Sequence, residues 1–98
     1  MTIDQFIARL ARKVKRSKTA FVAEPCLRTV NGYLCPINFV ASQPHESFLA
    51  YDSAANLGLS ARDASQIMVC ADCALDPAFP GWSETLRARL LEACGVVE

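Results

Sequence analysis

Ile3, Phe6, Ile7, Leu10, Ala11 and Val14 fall three or four residues apart, the spacing that aligns one face of an α-helix. Arg9, Arg12, Lys13, Lys15 and Arg16 fill the other faces, so the pattern predicts an amphipathic helix over residues 3–16. Thr2 and Gln5 have the spacing of a capping box, and Met1 and Phe6 that of a hydrophobic staple at the same end. A second stripe, Leu86, Leu90, Leu91 and Cys94, predicts a last helix capped by Ser83 and ended at Gly95. Glu84 then stands in the first turn, where the helix dipole favours an acid. A third stripe, Ala64, Ile67, Met68 and Ala71, predicts a helix from Ser60 to about Cys73.

The stretch Tyr51–Ala74 is expected to organise the rest. Gly58 takes a positive φ cheaply and can end one helix, while Ser60 can cap the next with Asp63 three residues on. Before the glycine, Ser47–Leu57 reads as helical in its second half, with Asp52 or Ser53 as the cap. Thr19–Ala23 is short and partly β-branched or aromatic, and reads as extended. Glu24-Pro25 disfavours helix. Cys26–Val30 and Tyr33–Cys35 flank Asn31-Gly32, a strong signal for a type I′ hairpin. Pro36 limits the second strand or opens a helix; Ile37, Val40 and Ala41 suit a short helix, although Ile37–Val40 would also suit a strand. Ser42–His45, Asp76-Pro77 and Pro80-Gly81 read as loops. The expected fold is α+β and mainly helical: one small domain over 1–98, about four helices, and one short hairpin lying against them.

Composition adds an asymmetry. The chain has 98 residues and equal numbers of basic and acidic side chains, ten of each. Residues 1–30 hold seven of the basic residues and only Asp4 and Glu24 of the acidic ones. A molecule charged differently on two sides favours oriented docking or head-to-tail self-association, so a homo-oligomer is one expectation. No apolar run is long enough for a membrane span and no secretion signal is evident, which points to the cytoplasm and to reduced thiols for the five cysteines.

Ala54-x-x-x-Gly58-Leu59-Ser60-x-x-x-Ala64-Ser65-x-Ile67 resembles the helix-turn-helix of bacterial DNA-binding regulators. The resemblance implies a second helix in the major groove, with Ser60, Arg62, Ser65 and Gln66 near bases and phosphates, Arg62 toward guanine and Gln66 toward adenine. This helix carries one cation near its start, and DNA affinity rests mostly on phosphate neutralisation. The DNA reading therefore needs the basic first helix on the same surface. The ordinary alternative is a helix–glycine–helix packing corner.

Cys70-x-x-Cys73, with Cys26 and Cys35 as a second pair, could hold structural zinc in a four-thiolate site. The competing reading is burial, since cysteine packs like a small apolar group. His45, beside Glu46 in a loop, and the pair Asp72 and Asp76 lack the companions of a nucleophilic or acid–base site. The four glycines are isolated, so no phosphate-cradling loop is present. Trp82, near Phe79 and Pro80, is core cover or an interaction hot spot.

The reading that best joins these features is a non-enzymatic interaction or regulatory protein, without cofactor, that docks a protein partner through Arg9, Arg12, Lys13, Arg16 and Lys18. Small phage proteins that block a host complex are one such class. DNA binding through residues 54–67 is the first alternative and a small zinc-binding module the second.

Overall fold

The structure, a computed structural model, describes residues 1–22, 27–29, 35–42, 50–71 and 80–96. It is mainly helical. Five helices stand among the described residues: α1 (Ile3–Ser17), α2 (Pro36–Val40), α3 (Ala50–Leu57), α4 (Ala61–Ala71) and α5 (Glu84–Ala93). The radius of gyration, 12.0 Å, matches the roughly 13 Å of a single packed unit of this length.

Local chemistry sets the ends of α1 as its sequence predicts. Thr2 Oγ accepts from the Gln5 N–H at 3.1 Å, and Gln5 Oε1 accepts from the Thr2 N–H at 2.8 Å. Two of the helix's orphan donors are thereby satisfied. Phe6, Ile7 and Leu10 are buried, with Ile3 and Val14 packed at the margin. Pro36 opens α2 at a position where its missing N–H costs nothing, settling the helix-or-strand alternative in favour of helix. With α2 as its own short helix, the described residues hold five helices, in keeping with the expected four or slightly more.

The corner between α3 and α4 forms at Gly58, whose φ is +80. Leu59 N–H reaches Ala54 O at 2.9 Å and Gly58 N–H reaches Ala55 O at 3.0 Å, the paired bonds of a Schellman close. Ser60 Oγ then accepts from the Asp63 N–H at 3.1 Å. The last helix ends the same way at Gly95, φ +73, and Ser83 Oγ caps its start through the Leu86 N–H at 3.2 Å. One expectation needs correction. Ser53 does not cap α3; it lies inside the helix, fully buried, and its Oγ accepts from Asn38 Nδ2 of α2 at 3.1 Å. Asp52 occupies the first turn instead.

The described β-structure is a two-residue antiparallel ladder, β1 (Phe21–Val22) with β2 (Arg28–Thr29), in the register Phe21↔Thr29 and Val22↔Arg28. Phe21–Val22, within the stretch expected to be extended, are thus a strand, and Arg28–Thr29 pair back to them. The Asn31-Gly32 turn lies outside the described residues.

One core joins these elements. Phe6 and Leu10 from α1, Ile37 from α2, Ala64, Ile67 and Cys70 from α4, and Leu90 from α5 are fully buried in it. α5 packs on α1 and α4, and α2 packs on α1, α3 and α4. The open end of α4 is tied down twice: the Leu27 N–H donates to Ala71 O at 2.9 Å, and Arg87 Nη1 donates to Cys70 O at 2.8 Å. This arrangement leaves the polar side of α1 facing outward beside the end of α2.

Candidate partner-binding groove

Four of the five cations expected to bind a partner converge. Arg9, Arg12, Lys13 and Arg16 line one hollow of about 290 Å³ whose other wall is Val40 and Ser42, at the end of α2. Helical geometry makes this possible, because residues 9, 12, 13 and 16 are three, four or seven apart and share a flank of α1. Arg9, Arg12 and Arg16 are exposed. Among the described residues that line the hollow, none is acidic. Lys18 does not line it; it closes α1 with a left-handed backbone at φ 53.

Lys13 differs from its neighbours. It lies seven residues beyond Phe6 and three beyond Leu10, at the edge of the apolar stripe, so its stem runs over apolar surface. Its ammonium donates to Phe39 O at 2.6 Å and also to Ser42 Oγ, and it sits 4.9 Å from the centre of the Phe39 ring. Burial, and then the positive charges of Arg16 and Arg9, hold its pKa below the ordinary lysine range. Lys13 is therefore a strut between α1 and the last turn of α2, and the three arginines are the cations presented outward. Val40 and Ser42 were not foreseen as groove residues. The only sequence signal for them is their place at the end of the Pro36 helix.

The helix-turn-helix residues take up different positions. Ser60 and Arg62 are exposed, whereas Ser65 and Gln66 are half-buried. Arg62, Ser65 and Gln66 line a hollow of about 360 Å³ with Pro80 and Gly81, ahead of α5. Gln66 also borders a second one, of about 280 Å³, that reaches Ile3, Asp4 and Arg89. There Arg89 pairs with Asp4 at 2.8 Å, an exposed ion pair of little energetic weight. A glycine corner does join α3 to α4, as either reading expects, but Ser65 and Gln66 lie alongside α5 and its entry, and Arg62 lines a different hollow from Arg9, Arg12 and Arg16.

Of the described cysteines, Cys70 and Cys94 are buried and Cys35 is half-buried against the core. Cys70 is fully buried; its Sγ accepts from the Ser83 N–H at 3.3 Å and its thiol points to Gly81 O at 3.7 Å. Burial raises its pKa, against the opposing effects of the Ser83 N–H and of Arg87. Cys94 is buried at the other end of α5, and its thiol is pushed up to about 12 by burial and then by Cys35. Cys35 therefore keeps company with the end of α5 and Cys70 with its start. Among the described residues no three His, Cys, Asp or Glu side chains gather as metal ligands would. Cys26 and Cys73, the other half of the expected zinc set, lie outside the described residues, as do His45, Asp72, Asp76 and Phe79.

Trp82 is half-buried, and Arg87 lies over its ring, 5.5 Å from the centre. No described helix is long and apolar enough to cross a membrane. Comparison of the chain with protein-family models, with curated proteins and with solved structures finds no match in any of the three.

Proposed function

We propose that this protein is a non-enzymatic docking protein that holds an acidic segment of a protein partner against α1. The observation that carries this reading is the convergence of Arg9, Arg12 and Arg16 on one hollow with no acidic residue among the described residues that line it. In a chain whose formal charge sums to zero, cations collected with no acid among their described neighbours in the hollow leave a local field that a complementary surface would neutralise. Arginine suits the task, because its planar fork meets a carboxylate with two parallel hydrogen bonds. The fold holds Lys13 in place without drawing the arginines inward.

Protein docking is preferred to DNA recognition on geometry. A recognition helix needs its outer face free to enter a groove about 12 Å wide. Here the residues that would read bases lie beside the entry to α5, and the basic cluster lines a separate hollow.

The test is fluorescence anisotropy with a labelled Glu-rich peptide, set beside a duplex DNA of equal charge. Wild-type protein is expected to bind the peptide, and Arg12→Glu with Arg16→Glu to weaken binding at least tenfold with the melting temperature unchanged, since both side chains are exposed. Unchanged affinity in the double variant would remove the groove from the account. Preference for the duplex, lost in Arg62→Ala, would favour the helix-turn-helix reading instead.

A further inference from the structure

Ser42 is the residue that points beyond general acid binding. It follows the C-cap of α2 and has φ +56, a left-handed backbone normally given to glycine at this place. Its N–H donates to Phe39 O at 3.1 Å, as a glycine there would. A serine accepts backbone strain that glycine avoids, and such strain tends to persist where the side chain is used. Here the side chain is used: Ser42 Oγ accepts from the Lys13 ammonium and lines the arginine hollow. Lys13 donates to its oxygen, so the hydroxyl still carries a proton that can donate to an anion.

Three forks and one hydroxyl therefore border the same space. Arg9, Arg12 and Arg16 are offset along α1 by about 4.5 and 6 Å, within the reach of long side chains that converge on one anion. A carboxylate offers two oxygens in a plane and one negative charge. A phosphoryl group offers three oxygens in a tetrahedral array and close to two charges at neutral pH, so it can accept from forks arriving from different directions. The hollow, about 290 Å³, has room for such a group with ordered water. The repulsion that Arg16 and Arg9 exert on Lys13 is what a bound dianion would relieve.

We propose that the hollow between α1 and the end of α2 is a phosphoryl-binding site formed by Arg9, Arg12, Arg16 and Ser42. The proposal rests on the reading of this groove as the docking surface and narrows what it takes. A phosphorylated side chain on the partner and free phosphate share the chemistry, and the experiment separates them.

Calorimetric titration of the full chain at low salt uses three probes: inorganic phosphate, an acidic peptide with one central phosphoserine, and the same peptide with Glu in its place. The phosphopeptide is expected to bind at least tenfold more tightly than the Glu peptide and to compete with inorganic phosphate. Arg12→Gln should reduce phosphopeptide affinity about tenfold and Ser42→Gly about threefold, while Lys15→Gln, the same charge loss at a residue of α1 that does not line the hollow, should leave it unchanged. Equal binding of the two peptides overturns the phosphoryl site but leaves acidic docking standing. Binding of inorganic phosphate with the same arginine dependence, and of neither peptide, supports the site and removes protein docking. No binding of any probe removes both.

Discussion

At the scale of single residues, burial sorts the titratable groups into two sets whose pH effects run in opposite directions. Cys94 keeps its proton to about 12 in the fold, above the ordinary 9.0. The stability it contributes is complete below pH 9 and is lost as the pH climbs toward 12, by about 1.4 kcal/mol for each unit crossed. Cys70 is shifted the same way. Lys13 is shifted down, so its charged form costs stability at neutral pH and that cost fades as the pH rises toward 10.5. The thiols are the more deeply buried, and we expect the melting temperature to fall between pH 8.5 and 10.5, with Cys94→Ala flattening the fall. An identical pH slope in that variant would assign the effect to other groups. The thiol burial was legible because Cys94 shares a helical stripe with Leu86, Leu90 and Leu91. The strut role of Lys13 was not read from the sequence, although a lysine seven residues beyond Phe6 carries a hint of it.

At the scale of elements, what could be read depended on how local the determining contacts are. α1, α4 and α5 announce themselves by period and cap, because their ends are fixed by hydrogen bonds a few residues apart. α2 has five residues, too few to show a period, and only Pro36 marks it. The region around β2 is set from a distance, since the Leu27 N–H is satisfied by Ala71 at the end of α4; no nearby pattern encodes that bond. Ser53, like Asp52, suits a cap by residue type, since serine favours helix ends, but pairing with Asn38 in the interior prevails. The Gly58 corner yields a test at this scale. A Cβ there would meet the Met1 nitrogen at 3.5 Å, an ordinary contact, so the cost of Gly58→Ala is conformational. We expect a loss of about 1–2 kcal/mol. In a chain of this size that is a fall of at least about 4 °C in the melting temperature. An unchanged melting temperature would mean that the corner relaxes without the left-handed residue. Peptide binding should be unaffected in either case, since Gly58 meets Met1, just ahead of α1, and does not line the groove.

At the scale of the whole molecule, the uneven charge of the sequence becomes a place. Seven of ten basic residues lie in the first thirty positions, and the fold turns three of them, Arg9, Arg12 and Arg16, onto one hollow beside α2. The sequence named the cations but not the opposite wall, because Val40 and Ser42 reach the groove through the packing of α2 on α1. Nor did it show that Arg62 would line a separate hollow, which depends on where α5 begins. Exchange of charge across the groove tests the central claim most directly. Anisotropy titrations compare wild-type protein with the Arg12→Glu, Arg16→Glu variant, against a Glu-bearing peptide and its Lys-bearing counterpart. Wild type should take the Glu peptide and refuse the Lys peptide, with the binding weakened by salt and the preference lost in the variant, where two new anions offset Lys13 and Arg9. A variant that still prefers the Glu peptide, at full melting temperature, would contradict docking through the arginine face of α1.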